Sequence, residues 1–464
     1  MGNLAQLRPT RGELREMMRL AWPVVLAQVG IMLMGVVDTA MVGRVGTSAV
    51  AAVALGHIYW VNVTIGGLGI LMVLDPVVSQ ATGANDRAGI SRGVQRGIIM
   101  ALALSVPSAV LLVPGEFFFS VLRQPVDVAP VAATFSRISI AGVVPFYVFF
   151  ALRQSLQAMA ETRPVVIAIV VSNAANFALD YALIYGHFGL PALGVQGSAI
   201  ATVISRWLML GLLVHFGWRQ LHGAIVPWRA ESARIAPLLK MVRIGVPVGL
   251  QSWLEIAVFT GGAIVLGWFG SVPLAAHEVA INLAALTFMF PMGVSAAAAA
   301  MVGRAVGRQD LSAARRDAVA ALAIGTAFMA VAAIAFLTIP RPLAMLFVHD
   351  PATIATAASL IFIGGIFQLF DGMQAVATGV LRGTGDTRVP MLLHLLGFWG
   401  VGIPLCLWLA FRAGLGPQGV WWGYVGALAV VATIQLLRVR WRLRQDIRRL
   451  RIDESAEWDV VESA

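Results

Sequence analysis

Long apolar stretches follow one another along almost the whole chain and are separated by short polar connections. A helix that crosses a bilayer needs about 20 mostly apolar residues. Stretches of that length begin near residues 17, 50, 93, 130, 163, 193, 241, 273, 316, 355, 388 and 417. The pattern therefore predicts an all-α integral membrane protein with twelve transmembrane helices.

The second half of the chain repeats short segments of the first half. Pro23 corresponds to Pro247, and Gly83-Ala-Asn-Asp86 corresponds to Gly307-Arg-Gln-Asp310, both at an offset of 224 residues. Duplicated membrane halves packed about a pseudo-symmetry axis are typical of secondary transporters, which bind substrate between the halves. The repeat therefore predicts coupled transport.

The polar breaks divide the predicted helices into two pseudo-symmetric six-helix bundles. We predict an N-terminal lobe over residues 1–217 and a C-terminal lobe over 241–437. A cytoplasmic linker is predicted over 218–240, where the longest polar break falls, and a cytoplasmic tail over 438–464.

Composition and charge support a membrane location. Charged residues make up 12% of the chain, whereas a soluble domain carries about 25%. Successive connections between the helices lie on opposite sides of the membrane, and Lys and Arg are concentrated on one side. Of the 33 Lys and Arg residues, only Arg44, Arg123, Arg341 and Arg412 fall on connections of the other side. The positive-inside rule then predicts that both termini are cytoplasmic. The net charge of +10 is thus explained by orientation in the lipid bilayer, without a nucleic-acid partner.

The N-terminus and the single cysteine narrow the class further. The first apolar stretch has no small-residue cleavage site, so it is expected to remain as a span of the plasma (inner) membrane. Cys406, the only cysteine, lies in an apolar stretch, which excludes an intramolecular disulfide. We expect a monomer that needs no cofactor.

Two acidic residues occur near the middle of predicted helices of the C-terminal half, Glu255 in the seventh and Asp371 in the tenth. A carboxylate inside a membrane is costly, and it persists by protonation, by pairing or by binding a cation. If the two helices face each other, the pair can hold one Na⁺ or share a proton. We therefore predict that Glu255 and Asp371 couple transport to Na⁺ or H⁺.

The N-terminal half carries its own buried acids. Asp38 lies in the first predicted helix, and Asn176 and Asp180 lie on one face of the fifth because they are spaced i, i+4. Such a polar face points into the protein or a cavity, since lipid offers it no partner. We predict a role in ion or proton coupling for these three residues, with structural hydrogen bonding as the alternative.

Other ionisable residues at membrane depth favour different roles. Asp75, His277 and Glu278 lie near helix ends, and we expect them to act in structure or gating. Arg137 and Arg206 must find water, a carbonyl group or an acid. A salt bridge from Arg206 to an acid of the N-terminal half is one solution, and the sequence does not identify its partner.

Five segments resemble the multidrug and toxic compound extrusion family, in particular its NorM-type branch. They are Val36-Val-Asp-Thr-Ala-Met-Val-Gly43, Ala275-Ala-His-Glu-Val-Ala-Ile-Asn282, the two Gly-x-x-Asp turns and Leu381-Arg-Gly-Thr-Gly-Asp-Thr-Arg388. The resemblance implies two bundles around a central cleft and export of amphipathic cationic compounds driven by Na⁺ or H⁺. It also implies coupling roles for Glu255, Asp371, Asp38 and the Asn176/Asp180 face. Phe367 stands where some members have an aromatic hydroxyl, which leaves the identity of the ion open.

A cationic, apolar compound is expected to bind among Met and aromatic side chains, which adapt to many shapes and offer cation–π contacts. Ordinary helix packing is the alternative role of each such residue. The candidates for lining the cleft are Met34, Trp60, Phe259, Phe288, Met289, Phe290 and Phe367.

Two other classes of function are alternatives to a coupled exporter. A flippase for a lipid-linked precursor has a similar two-lobed architecture and needs cationic side chains in its cleft, for which Arg137 and Arg206 are candidates. An enzyme is disfavoured because the chain has neither a His-Glu-x-x-His motif nor a Gly-x-x-x-x-Gly-Lys-Ser/Thr loop.

Overall fold

The computed structural model describes residues 9–453, which include twelve helices long and apolar enough to cross a membrane. Residues 1–8 and 454–464, at the outer ends of the predicted N-terminal lobe and tail, lie outside this range. The twelve helices confirm the predicted fold class. They are α1 (Arg11–Val42), α2 (Thr47–Gly83), α3 (Arg87–Leu112), α4 (Ala129–Ala158), α5 (Arg163–Tyr185), α6 (Val195–Ile225), α7 (Ile235–Gly267), α8 (Ser271–Gly307), α9 (Leu311–Thr338), α10 (Pro351–Gly383), α11 (Arg388–Arg412) and α12 (Pro417–Arg442).

Several helices extend beyond their apolar stretches. Helix α6 continues to Ile225 and α7 begins at Ile235, so the connection between the halves is 226–234 and the ends of the predicted 218–240 linker are helical. Polar residues continue a helix past the bilayer because its backbone hydrogen bonds form within the segment itself.

The two Gly-x-x-Asp turns start equivalent helices. Asp86 Oδ1 accepts a hydrogen bond of 2.8 Å from the Gly89 N–H, and Asp310 Oδ1 accepts one of 2.9 Å from the Ala313 N–H. Both aspartates are therefore N-caps, of α3 and α9, and they satisfy backbone donors that the first helical turn leaves free.

Helices α1–α6 form one bundle and α7–α12 the other, and the bundles meet mainly through α1, α2, α7 and α8. We call the end of the molecule where α1 begins and α12 ends the base. Contacts between the bundles run from α1 to α8, from α2 to α7 and from α2 to α8. A pseudo-two-fold axis exchanges each helix with the one six places away in the chain. It therefore converts the α1–α8 contact into the α2–α7 contact and maps the α2–α8 contact onto itself.

Two backbone contacts between the lobes have no room for a Cβ. Gly69 of α2 packs against Gly249 of α7, and Gly293 of α8 packs against Val25 of α1. The same offset of 224 residues relates Gly69 to Gly293 and Val25 to Gly249, so one contact is the symmetry mate of the other. We call these two the upper contact pair.

A second pair of contacts lies closer to the base and is also related by the 224-residue offset. Gly83 packs against the backbone of Arg304, and Gly307 packs against the backbone of Gln80. We call these the lower contact pair. The two lobes are therefore closed against each other at the base.

The segment after α12 crosses the base from one lobe to the other. Arg449 Nη2 lies 2.6 Å from Asp86 Oδ2, and the Leu450 N–H donates to Gln80 Oε1 at 2.7 Å. Asp453 pairs with Arg92 at 2.6 Å. This part of the predicted tail therefore contacts the N-terminal lobe directly.

Candidate functional site

The acids predicted as a pair in the C-terminal lobe lie beside one another. One amide joins them: Gln374 Nε2 donates to Glu255 Oε1 at 3.4 Å and to Asp371 Oδ1 at 3.3 Å. Asp371 and Gln374 follow one another at i, i+3 on α10, so both reach α7 from the same face. Gln374 was not among the residues predicted from the sequence, although its i, i+3 spacing from Asp371 is visible there.

The oxygen atoms of this cluster suit a proton or a small hard cation. The Gln374 Oε1 atom is buried and has no hydrogen-bond partner in the described part of the chain, although it belongs to the side chain that bridges the two carboxyl groups. Within residues 9–453 no group of three or more His, Cys, Asp or Glu side chains is placed to hold a metal ion. A cation held by Glu255 and Asp371 would thus complete its ligands with neutral oxygens such as that of Gln374.

The predicted acids of the N-terminal lobe also converge. Asp38 on α1 and Asp180 on α5 interact through their carboxyl groups, and Asn176 also contacts Asp38. Thr202 on α6 donates a hydrogen bond of 2.8 Å to Asp38 Oδ2. Thr202 was not singled out from the sequence, because one threonine in an apolar helix carries no signal of its own.

This N-terminal cluster is closed off from solvent and incompletely hydrogen-bonded. Asp38 is 5% exposed and Asp180 is fully buried. Both carboxyl oxygens of Asp180, one of Asp38 and both amide atoms of Asn176 have no hydrogen-bond partner among the described residues. Buried polar atoms normally have partners, so the cluster has unused capacity for a proton or a cation.

A cavity of about 110 Å³ lies between the lobes and adjoins only one of the two clusters. Glu255 and Gln374 line it, whereas the N-terminal acids do not. Its remaining polar lining comes from both lobes: Gln28, Arg153, Gln154, Gln157, Gln251, Ser252, Ser295, Thr378 and Arg382.

The residues predicted to contact substrate fall into different surroundings. Phe288 lines the central cavity. Phe259 and Phe367 pack edge to face in the core of the C-terminal lobe, and Phe290 stacks on Phe328 with ring centres 3.9 Å apart. The other three divide by exposure: Met289 is half-buried, whereas Met34 and Trp60 are buried.

Asp75 makes the buried ion pair that joins the lobes. Its Oδ2 atom lies 2.8 Å from Arg382 Nε of α10, and its Oδ1 atom accepts a hydrogen bond from Gln154 at 2.9 Å. Arg153 donates to Gln28 at 3.0 Å. The arginines of the central cavity therefore already have protein partners.

The remaining ionisable residues at membrane depth lie apart from the cavity. Arg137 pairs with Glu116 at 3.1 Å, and both side chains are about half exposed. Arg206 lies over the ring of Trp60. His277 is buried against Trp421, whereas Glu278 is exposed.

Known proteins resemble this chain over almost its whole length. The MatE family model matches the chain twice, over residues 23–182 and 247–408. The probable multidrug resistance protein NorM of Bradyrhizobium diazoefficiens is 34% identical over 93% of this chain and 94% of its own length. The multidrug resistance protein NorM of Burkholderia vietnamiensis is 36% identical, over 90% and 92% respectively.

Solved structures share the fold. A MOP superfamily transporter from Pyrococcus furiosus superposes with a TM-score of 0.86 at 19% identity, covering 96% of this chain and 98% of its own. The chain therefore belongs to the MatE family, the multidrug and toxic compound extrusion family, on its NorM-type branch, and it is a membrane transporter rather than an enzyme.

Proposed function

We propose that this protein exports amphipathic, cationic small molecules in exchange for H⁺ or Na⁺, by alternate opening of its two lobes. The multidrug resistance names of its NorM relatives support the export of varied compounds. The observation that carries the coupling is the carboxyl pair formed by Glu255 and Asp371, one member of which lines the cavity between the lobes.

Coupling follows from competition for this negative charge. A proton or Na⁺ on the pair removes the charge that attracts a cationic compound, so each ligand lowers the affinity for the other. If the ion favours one orientation of the lobes and the compound the other, the ion gradient drives export.

The lining of the cavity suits a varied set of substrates. Phe288 offers an aromatic face for a cation, and Met292 offers a flexible side chain that adapts to different shapes. A lipid-linked precursor finds less support, because the arginines of this cavity are already paired with an acid or an amide.

The twelve apolar helices and the bacterial relatives indicate a multi-pass inner-membrane protein. We place its base and both termini in the cytoplasm, because the basic connections lie at that end. Ser120 lies at the opposite end and Ser312 near the base, and both are exposed. With Cys406, the only cysteine, buried, an impermeant maleimide applied to intact cells should label Ser120→Cys and spare Ser312→Cys.

Transport by the full-length protein in liposomes tests the proposal. A pH gradient and a Na⁺ gradient are imposed separately, and ethidium movement is followed for wild type, Glu255→Gln and Asp371→Asn. Glu116→Gln is the control, because this side chain is 55% exposed and pairs with Arg137 away from the cavity.

We expect one gradient to drive ethidium movement, both cavity variants to lose it and the control to keep it. The active gradient identifies the ion. Absence of movement in wild type under either gradient would refute coupled drug export, and full activity of both variants would refute the role of the pair.

A further inference from the structure

We propose that Arg206 is a tethered cation that occupies an aromatic cation site in the N-terminal lobe and competes there with the transported cation. This inference rests on the proposed function. It adds a second substrate site, and it identifies the Arg206 guanidinium as the group that displaces the substrate from that site.

The site is an aromatic corner made by two helices. Trp60 of α2 and Phe146 of α4 meet edge to face, with ring centres 4.7 Å apart. The Arg206 Cζ atom lies 3.7 Å from the Trp60 ring centre and 5.3 Å from that of Phe146. Two aromatic faces at these distances bind an ammonium or guanidinium group through their π electrons.

Arg206 is not held there by a carboxylate. It is 7% exposed, and its Nη1 atom is buried without a hydrogen-bond partner among the described residues. Its electrostatic partner is Asp38, on a different helix. A buried guanidinium group that lacks a close ion pair gains by moving to a carboxylate within its reach, if that carboxylate is charged.

The geometry of α6 indicates that this carboxylate is Asp38. Thr202 precedes Arg206 by one helical turn and donates to Asp38 Oδ2, so the same helix face reaches this carboxyl group. The other carboxyl oxygen, Oδ1, has no hydrogen-bond partner among residues 9–453. It can accept a hydrogen bond from the Arg206 side chain when that side chain leaves the aromatic corner.

The charges around Arg206 come from three other helices. Asp38 lies on α1, His57 on α2 and Asp180 on α5, and the first two interact with Arg206 electrostatically. The exposed His57 ring lies 6.5 Å from the Trp60 ring.

These positions define an exchange between two states. When the Asp38 and Asp180 pair is charged, Arg206 moves to Asp38 and the aromatic corner accepts the cation of a substrate. When the pair takes up a proton, Arg206 loses its partner, returns to the corner and displaces the substrate. Proton uptake and substrate release are thereby linked through one side chain.

Equilibrium binding of tetraphenylphosphonium to the full-length protein in detergent tests this inference, because the probe carries a fixed charge and does not titrate. The variants are Arg206→Gln, Arg206→Met, Arg206→Lys and Arg206→Gln/Trp60→Leu. Gel filtration selects the variants that remain folded. If either Arg206→Gln or Arg206→Met fails to fold, the other one serves as the neutral variant.

Removing the tethered charge should tighten probe binding about tenfold, as expected for one desolvated cation–π contact. Arg206→Lys should bind the probe like wild type. The added Trp60→Leu change should abolish the gain. A purely structural Arg206 would not give this pattern, since its loss would weaken binding or leave it unchanged.

The inference is overturned if the folded neutral variants bind the probe no more tightly than wild type, or if the gain survives Trp60→Leu. This outcome differs from failure of the proposed function. That failure appears as absence of ion-driven transport by the wild type in liposomes, whatever the binding of the probe.

Discussion

At the scale of single residues, a neutral side chain organises the acidic pair of the C-terminal lobe. We expect Gln374→Leu to weaken the apparent affinity for the coupling ion by roughly ten- to a hundredfold, as the loss of an outer hydrogen-bond partner does at metal sites. Ethidium transport at increasing ion concentration measures this effect.

Gln368→Leu is the matched control for this prediction. Gln368 is buried on the same helix but donates to Thr287 instead of a carboxyl group. If both variants lose ion affinity equally, the effect belongs to the packing of α10 and the bridging role of Gln374 is refuted.

Thr202 gives a second prediction, in the N-terminal lobe. Thr202→Val keeps the shape but removes the hydrogen bond to Asp38, and a bond to a charged acceptor contributes about 1.5–3 kcal/mol. We expect ion-driven ethidium efflux to fall about tenfold or more, whereas Thr202→Ser, which keeps the hydroxyl, retains it. Equal rates for the two variants would contradict a functional contact.

The sequence revealed the charged members of both clusters and missed their neutral partners, for a physical reason. A carboxyl group in an apolar helix is costly enough to stand out, as Asp38, Asp180, Glu255 and Asp371 did. Burying an amide or a hydroxyl group there costs much less free energy, because neither group is charged and a hydroxyl can donate a hydrogen bond to a carbonyl of its own helix. Only the packing of neighbouring helices separates Gln374 from glutamines with structural roles.

At the scale of helices, the glycine contacts decide how closely the lobes approach. Ala at position 83 would place its Cβ against the backbone of Arg304, which cannot move aside as a side chain does. We expect Gly83→Ala to disfavour closure at the base, and therefore to raise maleimide labelling of a cysteine introduced at Thr378 in the central cavity, from the base side, in inverted membrane vesicles.

Gly66→Ala is the control on the same helix, because a Cβ at Gly66 would meet nothing within 4 Å. It carries the same change of helix propensity without the collision. Unchanged labelling in Gly83→Ala would show that the contact does not limit closure.

The sequence predicted helices better than their ends. It placed α5, α11 and α12 at their observed starts, where a proline or a polar turn precedes the apolar stretch. It placed α3 and α9 several residues late, because their first turns are polar. Their start signals, Asp86 and Asp310, were recognised only as a repeat and not as N-caps.

At the scale of the whole molecule, the chain after α12 ties the lobes together through charge. Burial acts to raise the pKa of Asp453, but hydrogen bonds and charge from Arg96 and Arg92 outweigh it, and the net effect lowers that pKa. A carboxyl group with a lowered pKa stabilises the folded state above its unfolded pKa of about 3.9 and stops doing so as the pH falls through the folded value.

We therefore expect Asp453→Asn to lower the melting temperature of the detergent-solubilised protein at pH 7, and this difference to shrink toward zero below about pH 4. Asp446→Asn is the control, because Asp446 is an exposed aspartate of the same segment. A difference that persists unchanged at acid pH would mean that the charge of Asp453 is not what anchors the segment.

The two contact pairs between the lobes also define a lever. Two rigid bodies that touch at two points keep one rotation, about the line through those points, and the upper contact pair supplies such a line. The lower contact pair lies fourteen residues further along α2 and α8, an arm of roughly 20 Å. A tilt of about 10° about this fulcrum would part the lower contacts by roughly 4 Å, wide enough for water, while the fulcrum stays in contact.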